Sequence, residues 1–229
     1  LSTLSTSAKE EYRSQNETYV LKKIIPAYEN LAAAIEELKD SGSNKGGLCN
    51  YEDGKDYYEY LVRYSTGSSD SIKDLQKQVE QKRKEDLLQL SELLTKNPIL
   101  AKESESYQLD TSDPSQILAQ LKETIKKDFP EAPDANFTVK YVDEALEEYL
   151  SPAFYLTSPI DDYKENSIYI NEGSHYEKMK LFTTLAHEGF PGHLYQNVFA
   201  NTSGLPSVRQ LLNYSGYTEG WATYVKMIS

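Results

Sequence analysis

Apolar residues recur every three or four positions through most of the first 130 residues, which is the spacing of one face of a helix. A long segment, 7–40, fits this pattern and contains Pro26, so we expect a long helix that is kinked or split there. Asp113 followed by Pro114 is a strong helix start, because an N-cap acid precedes Pro at the first helical position. The same spacing predicts further helices over 55–65, 71–96 and 114–129. We therefore interpret 1–130 as a helical scaffold.

The pattern changes after two prolines, Pro130 and Pro133. Two short runs of β-branched and aromatic residues predict strands at 137–142 and Ser167–Ile170. Helical spacing returns and predicts helices over 176–188, over 192–200 and from about Thr218 onward. The expected fold class is mainly α, with a small β element beside the helix that ends near residue 188. Residues 131–229 then form the second half of one larger domain.

Composition removes several classes of function. The chain has 229 residues and a net charge of −12, which disfavours binding to nucleic acid or to an anionic membrane surface. Its single cysteine, Cys49, excludes an intrachain disulfide and a four-cysteine zinc site. No apolar run is long enough to predict a transmembrane segment. The chain begins with Leu1, shows no signal peptide and ends inside a helical pattern, so we expect a fragment of a longer protein. The oligomeric state is not predicted.

The candidate chemistry lies at His187, Glu188 and His193, which include two of the three histidines in the chain. Zinc hydrolases hold their metal with imidazoles and one more ligand, and leave a position open for water. A carboxylate next to the first histidine then removes a proton from that water. The cluster is therefore a candidate zinc site with Glu188 as the general base. The third histidine, His175, is expected to be a surface or capping residue.

The spacing of these histidines departs from the usual motif. In HExxH the histidines are at i and i+4 on one helical face, whereas here the second is at i+6, about 240° around an ideal helix. Gly189, Pro191 and Gly192 are poor helix residues, so the predicted distortion is a π-bulge or a break at 189–192 that returns His193 to His187. Packed or surface histidines remain the alternative interpretation.

Two downstream residues are further candidates. Glu219 follows His193 by 26 residues and can supply a third ligand from a crossing helix, although an ordinary helix-start acid has the same pattern. One tyrosine of this region can donate a hydrogen bond to a developing oxyanion, or all of them can serve packing. We favour Tyr217 among the three candidates Tyr214, Tyr217 and Tyr224.

Five segments of the chain closely resemble a bacterial family named for a domain of unknown function, number 885. The segments are NSIYINE, TLAHEGFPGHLYQ, YTEGWATY, GGLCNYEDGKDYYEYLVRYSTGSSDSI and SPAFYLTSPIDDY. They span nearly the whole chain, and HEGFPGH followed by EGWATY is far more specific than one His-Glu pair. The family is grouped with zinc metallopeptidases of the HExxH type.

The resemblance implies a gluzincin-like site on a helical, deep-cleft metallopeptidase fold. Carried onto this sequence, His187, His193 and Glu219 would hold Zn²⁺, and Glu188 would activate water. Ser167–Ile170 would be the edge strand that pairs with the extended backbone of a peptide substrate. The family's members are roughly twice as long as a domain of this size, and many are exported or lipoproteins. The alternative to a peptidase is a non-catalytic peptide-binding or surface protein that retains the fold.

Overall fold

The structure is a computed structural model that describes residues 4–100, 102–103, 109–131, 136–159, 162–173, 178–206, 208–212 and 214–228. His175 lies outside these ranges, so its expected role stays a prediction. The chain divides into two compact units, Leu1–Tyr58 and Glu59–Ser229. The prediction of halves at 1–130 and 131–229 is a different division and stays a prediction.

The first unit consists mainly of two α-helices that follow one another in the sequence, joined by a π-helical segment. Helix α1 covers Thr6–Tyr19, a π-helical segment covers Val20–Ile24, and helix α2 covers Ile25–Leu38. Pro26 has no N–H to donate to the preceding turn, so the regular α-helical hydrogen bonding is interrupted just before it. The predicted long helix is therefore interrupted by a π-helical segment just before Pro26, rather than split at that residue. Helix α3, Gly54–Thr66, contains the boundary between the two units.

The described part of the second unit contains six further α-helices of defined bounds. They are α4 (Ile72–Lys96), α5 (Pro114–Thr124), α6 (Lys178–Glu188), α7 (His193–Thr202), α8 (Val208–Leu211) and α9 (Ser215–Ile228). Asp113 caps α5 as predicted, because its carboxylate accepts hydrogen bonds from the backbone N–H groups of Ser115 and Gln116. Helix α9 begins at Ser215, earlier than the predicted start at Thr218. Within the described ranges, no helix has both the length and the apolar character to cross a bilayer.

A three-stranded sheet accompanies the helices, in the order β1-β3-β2. Strand β1 covers Asn136–Tyr141, β2 covers Ala153–Leu156, and β3 covers Glu165–Ile170. Strand β1 pairs in parallel with β3, and β2 pairs antiparallel with it. The expectation that Ser167–Ile170 is an edge strand is wrong, because both sides of β3 are hydrogen-bonded to neighbours. Strand β2 was not predicted, and it provides the edge of the sheet near the candidate site.

The core lies where α5, the sheet, α6 and α7 meet. Its members are buried apolar residues: Ile117, Leu118 and Leu121 of α5; Ile168 and Ile170 of β3; Leu185 and Ala186 of α6; and Leu194, Tyr195 and Val198 of α7. Burial of such side chains contributes about 1.5–3 kcal/mol each, so the segments on both sides of the candidate histidines are firmly held. The predicted fold class, mainly α with a small sheet beside α6, is confirmed.

One glycine of α9 offers a test of helix stability. Gly220 lies inside the helix, and a Cβ placed there would meet no atom within 4 Å. Alanine loses less backbone entropy than glycine on folding, so Gly220→Ala should raise the free energy of unfolding by about 0.5–1 kcal/mol. Thermal unfolding of the metal-free protein measures this. A lower melting temperature would show that the position has contacts that the described residues do not supply.

Candidate metal centre

The last turn of α6 carries His187 and Glu188, and α7 begins at His193. The helix stops at Glu188, and the segment 189–192 forms a short turn that contains a cis Phe190–Pro191 bond. The Gly189 N–H still donates to the Leu185 carbonyl at 2.8 Å, so α6 is complete up to the turn. The predicted break at 189–192 is confirmed, in the form of an interrupted helix rather than a π-bulge.

Two glycines make this turn possible. A Cβ on Gly192 would overlap the carbonyl oxygens of His187 and Ala186, and a Cβ on Gly189 would overlap the Leu118 side chain. The backbone after Pro191 therefore passes directly over the carboxyl end of α6. This close approach returns His193 to His187, and the ring centroids lie 4.7 Å apart with the ring planes at 89°.

The ligand atoms of His187, Glu188 and His193 all lie within 4.8 Å of one another. Helix α9 adds Glu219 on one side of this group. One Glu219 oxygen, Oε2, lies 3.5 Å from His187 Nε2, and the other, Oε1, lies 3.6 Å from His193 Nε2. The structure therefore brings together the four residues that the sequence pattern and the family resemblance selected as ligands and base. We call these four residues the His-Glu cluster.

The position of α9 is set by Trp221. Its indole Nε1–H donates to the Pro191 carbonyl at 2.7 Å, and its ring packs edge-to-face on Phe129. Ala222 and Val225 of α9 are fully buried. Because Trp221 is two residues after Glu219 and bonds to the turn between the histidines, the turn and the third carboxylate are held in one arrangement.

The His-Glu cluster is partly buried, and burial changes its acid–base properties. Burial lowers the pKa of His187, and the neighbouring His193 lowers it further, while Glu219 acts in the opposite direction. The neutral imidazole is thereby favoured, which is the form that binds a metal ion. Burial also raises the pKa of the Glu188 carboxyl, whereas the Tyr155 N–H opposes this rise. A carboxylate with a raised pKa is a better proton acceptor than an ordinary surface glutamate.

The donor set fits a zinc ion. Two imidazole nitrogens and a carboxylate that converge on one point are the ligands of catalytic zinc sites. The side chains of His187 and His193 are 20% and 18% exposed, while that of Glu219 is 61% exposed, so the open side of the cluster lies toward Glu219. The Nδ1 atom of His187 is buried with no hydrogen-bond partner among the described residues, whereas its Nε2 lies 3.5 Å from Glu219 Oε2. The Nε2 atom is therefore the one that faces the cluster.

Strand β2 contributes a contact that the sequence interpretation missed. The backbone N–H of Tyr155 donates to Glu188 Oε2 at 2.9 Å. Glu188 Oε1 is the oxygen on the histidine side, 3.9 Å from His187 Nε2. The two oxygens of this carboxylate thus have different partners. The run Ala153–Leu156 is apolar and aromatic and follows Pro152, which is a strand signal that could have identified β2 itself, but not its contact with Glu188.

The structure does not bring Tyr217 to the cluster. Tyr217 is two residues before Glu219 on α9, which places it about 200° around the helix from that carboxylate. Its side chain is 61% exposed. The assignment of Tyr217 as an oxyanion donor therefore has no geometric support.

A comparison with solved structures shows the same fold in a larger protein. One matching structure is described as "The crystal structure of the putative lipoprotein from Colwellia psychrerythraea", with a TM-score of 0.74 and 21% sequence identity. It covers 99% of this chain and 42% of the other, so the chain spans less than half of that relative's length. Among curated proteins, none matches this sequence. The family described as "Bacterial protein of unknown function (DUF885)" matches residues 1–228, and the chain belongs to that family.

Proposed function

We propose that this chain carries the metal site of a zinc-dependent peptidase. The observation that carries the proposal is the convergence of His187, His193 and Glu219 around one point, with Glu188 beside them. This convergence depends on a helix break, on two glycines that allow a close backbone approach, and on a third helix that is hydrogen-bonded to the turn. A chance contact between surface acids and histidines needs none of these features. His187, His193 and Glu219 would hold the ion.

Each residue then has a defined task. Zinc in such a site lowers the pKa of a water molecule and polarises a carbonyl. Glu188 Oε1 faces the histidines and accepts a proton from the attacking water, while Oε2 stays bonded to the Tyr155 N–H. The same carboxyl then delivers that proton to the leaving amine, which is the usual cycle of a general base and acid.

A peptide would bind along β2 rather than along β3. Tyr155 lies opposite Ile168 of β3, but its N–H is turned away from β3 and donates to Glu188. Within the described part of the chain, no strand pairs with this outer edge. An extended peptide can add to such an edge through main-chain groups other than the Tyr155 N–H, which already donates to Glu188. This argument supports a peptide over another amide or an ester as the substrate.

The location of the protein belongs to the same proposal. The Colwellia psychrerythraea protein of similar fold is described as a "putative lipoprotein". We infer an extracytoplasmic location, which gives a peptidase access to peptides outside the cell. Fractionation of the native protein in a bacterium tests this, and a purely cytosolic pool would contradict it.

Metal analysis of the full-length protein tests the proposal. We expect about one zinc per chain in the natural sequence, and clear loss of zinc in His187→Ala and Glu219→Ala, because each removes one ligand of three. Glu148→Ala, which removes another exposed carboxylate of the same unit, should keep the ion. Zinc content is read by elemental analysis after dialysis against a weak chelator, and peptide cleavage is read by mass spectrometry.

Two results would contradict the proposal. One is a natural protein that binds no zinc even when zinc is added back. The other is zinc content that is unchanged in both ligand variants. Peptide binding without cleavage in a zinc-free protein would favour the alternative, a non-catalytic peptide-binding protein.

A further inference from the structure

Tyr155 has polar contacts on two sides of β2. Its backbone N–H donates to Glu188, and its hydroxyl lies in a separate group of polar side chains. The hydroxyl donates to Asn166 Oδ1 at 2.6 Å and accepts a hydrogen bond from Asn197 Nδ2 at 2.9 Å. Asn197 Nδ2 also donates to Ser158 Oγ at 3.1 Å. One tyrosine therefore links the proposed base to side chains from two other elements.

Asn166 fixes the orientation of this group. It is 1% exposed, and its Nδ2 donates to the carbonyls of Asn136 at 3.1 Å and Tyr163 at 3.0 Å. Both N–H bonds of the amide are used, so its Oδ1 is left to accept from the Tyr155 hydroxyl. Through Asn166, all three strands share one hydrogen-bonded group, with Asn136 in β1, Tyr155 in β2 and Asn166 in β3.

Asn197 connects the same group to α7, the helix that carries His193. It lies four residues after His193 on α7, so the two side chains project from the same face of that helix. The hydrogen bond from Asn197 to Tyr155 thus joins the helix that carries a proposed ligand to the strand that holds Glu188 Oε2. Apolar side chains of the same volume would fill this space without fixing the position of β2 along α7. The hydrogen bonds fix that position, because they form in only one register of β2 against α7.

We propose that Tyr155, Asn166 and Asn197 form a positioning network that holds β2 in register with Glu188 and His193. The network keeps the Tyr155 N–H on Glu188 Oε2, so that Oε1 stays turned toward the histidines. These are positioning residues, because none of their side chains contacts the cluster directly. The catalytic part of this inference depends on the proposed peptidase activity, whereas the tether itself does not.

The test compares two Tyr→Phe variants of the full-length protein. Tyr155→Phe removes the hydroxyl from the network. Tyr195→Phe is the matched control, because Tyr195 lies on the buried side of α7 and its hydroxyl donates to the Pro130 carbonyl at 2.9 Å, outside the network. Each variant keeps the ring and removes one hydroxyl, and thermal unfolding of both variants measures any general loss of stability.

We expect three results for Tyr155→Phe. Hydrogen exchange of the backbone amide at position 155 should become at least about 10-fold faster, because β2 loses its tether. The kcat should fall by about 10–100-fold with KM changed little, which is the usual effect of removing a residue that orients the residues of a metal site without contacting the metal. Zinc content should be unchanged. Tyr195→Phe should leave the exchange at position 155 and kcat at their natural values.

The outcomes separate this inference from the proposed function. Equal exchange at position 155 in the two variants would overturn the tether, whether or not any peptide is cleaved. Faster exchange with unchanged kcat in an active protein would overturn the catalytic role and leave only a structural one. If Tyr155→Phe does not fold, Asn197→Ala keeps the Tyr155–Asn166 bond and removes only the link to α7, and the same comparison applies to it. A protein that cleaves no peptide contradicts the proposed function, and the exchange measurement still decides the tether.

Discussion

Glu188→Gln is expected to leave zinc in place and to reduce peptide hydrolysis by about 10²–10⁴-fold. The amide has the size of the carboxylate, and its oxygen can still accept the hydrogen bond from the Tyr155 N–H, so the local structure should persist. It cannot accept a proton from water, and general-base catalysis contributes a factor of that order. The kcat of the full-length protein, measured with its zinc content, checks the prediction.

The control for this variant is a change of the same kind at an exposed site. Glu148→Gln removes one negative charge from the same unit and should leave both zinc and kcat unchanged. Natural turnover in zinc-loaded Glu188→Gln would show that another group takes the proton. Loss of zinc in that variant would instead show that Glu188 is a metal ligand. Glu188 Oε1 lies only 3.9 Å from His187 Nε2, so this outcome would be informative.

The members of the cluster could be selected from the sequence because their chemistry is local. A histidine followed by a glutamate at the end of an apolar helix is a pattern of two adjacent residues. The helix break was predictable for a similar reason, since Gly189, Pro191 and Gly192 are poor helix formers wherever they occur. Glu219 needed the family resemblance, because spacing alone does not distinguish a ligand from a helix-start acid.

The parts that sequence reasoning missed depend on contacts between distant segments. Strand β2 is four residues long and lies between prolines, so its alternation is too short to predict which edge of the sheet it occupies. Its contact with Glu188 joins positions 33 residues apart. Tyr217 was selected by residue type alone, although its spacing of two residues from Glu219 already puts it on a different face of a helix. The contact between β2 and Glu188, in contrast, is set by the packing of distant segments.

The proposed base and the proposed ligands come from elements that the same core holds. Leu185 and Ala186 immediately precede His187, and Leu194 and Tyr195 immediately follow His193, and all four are almost completely buried. The two histidines are therefore flanked by core residues on both sides of the turn. This arrangement means that a change in the turn cannot relax by moving either helix outward without exposing apolar surface.

Gly192→Ala is therefore expected to damage both stability and metal binding. The added Cβ would overlap the carbonyl oxygens of His187 and Ala186, which are backbone atoms at the end of α6 and cannot rotate away. Overpacking of this kind lowers the free energy of unfolding by about 1–3 kcal/mol. Relief requires α7 to move from α6, which separates His193 from His187, so zinc affinity should fall by at least about 10-fold, the smallest effect usual for groups that orient a metal site.

Gly220→Ala is the matched control, because it makes the same chemical change one residue from Glu219 with open space around the new Cβ. It should keep zinc and raise the melting temperature, whereas Gly192→Ala should lower both. Competition with a coloured chelator measures the affinity, and thermal unfolding without metal measures the stability. If Gly192→Ala binds zinc as tightly as the natural protein, the close approach of the turn to α6 is not what returns His193 to His187, and the metal ligands would have to be held by α9 instead.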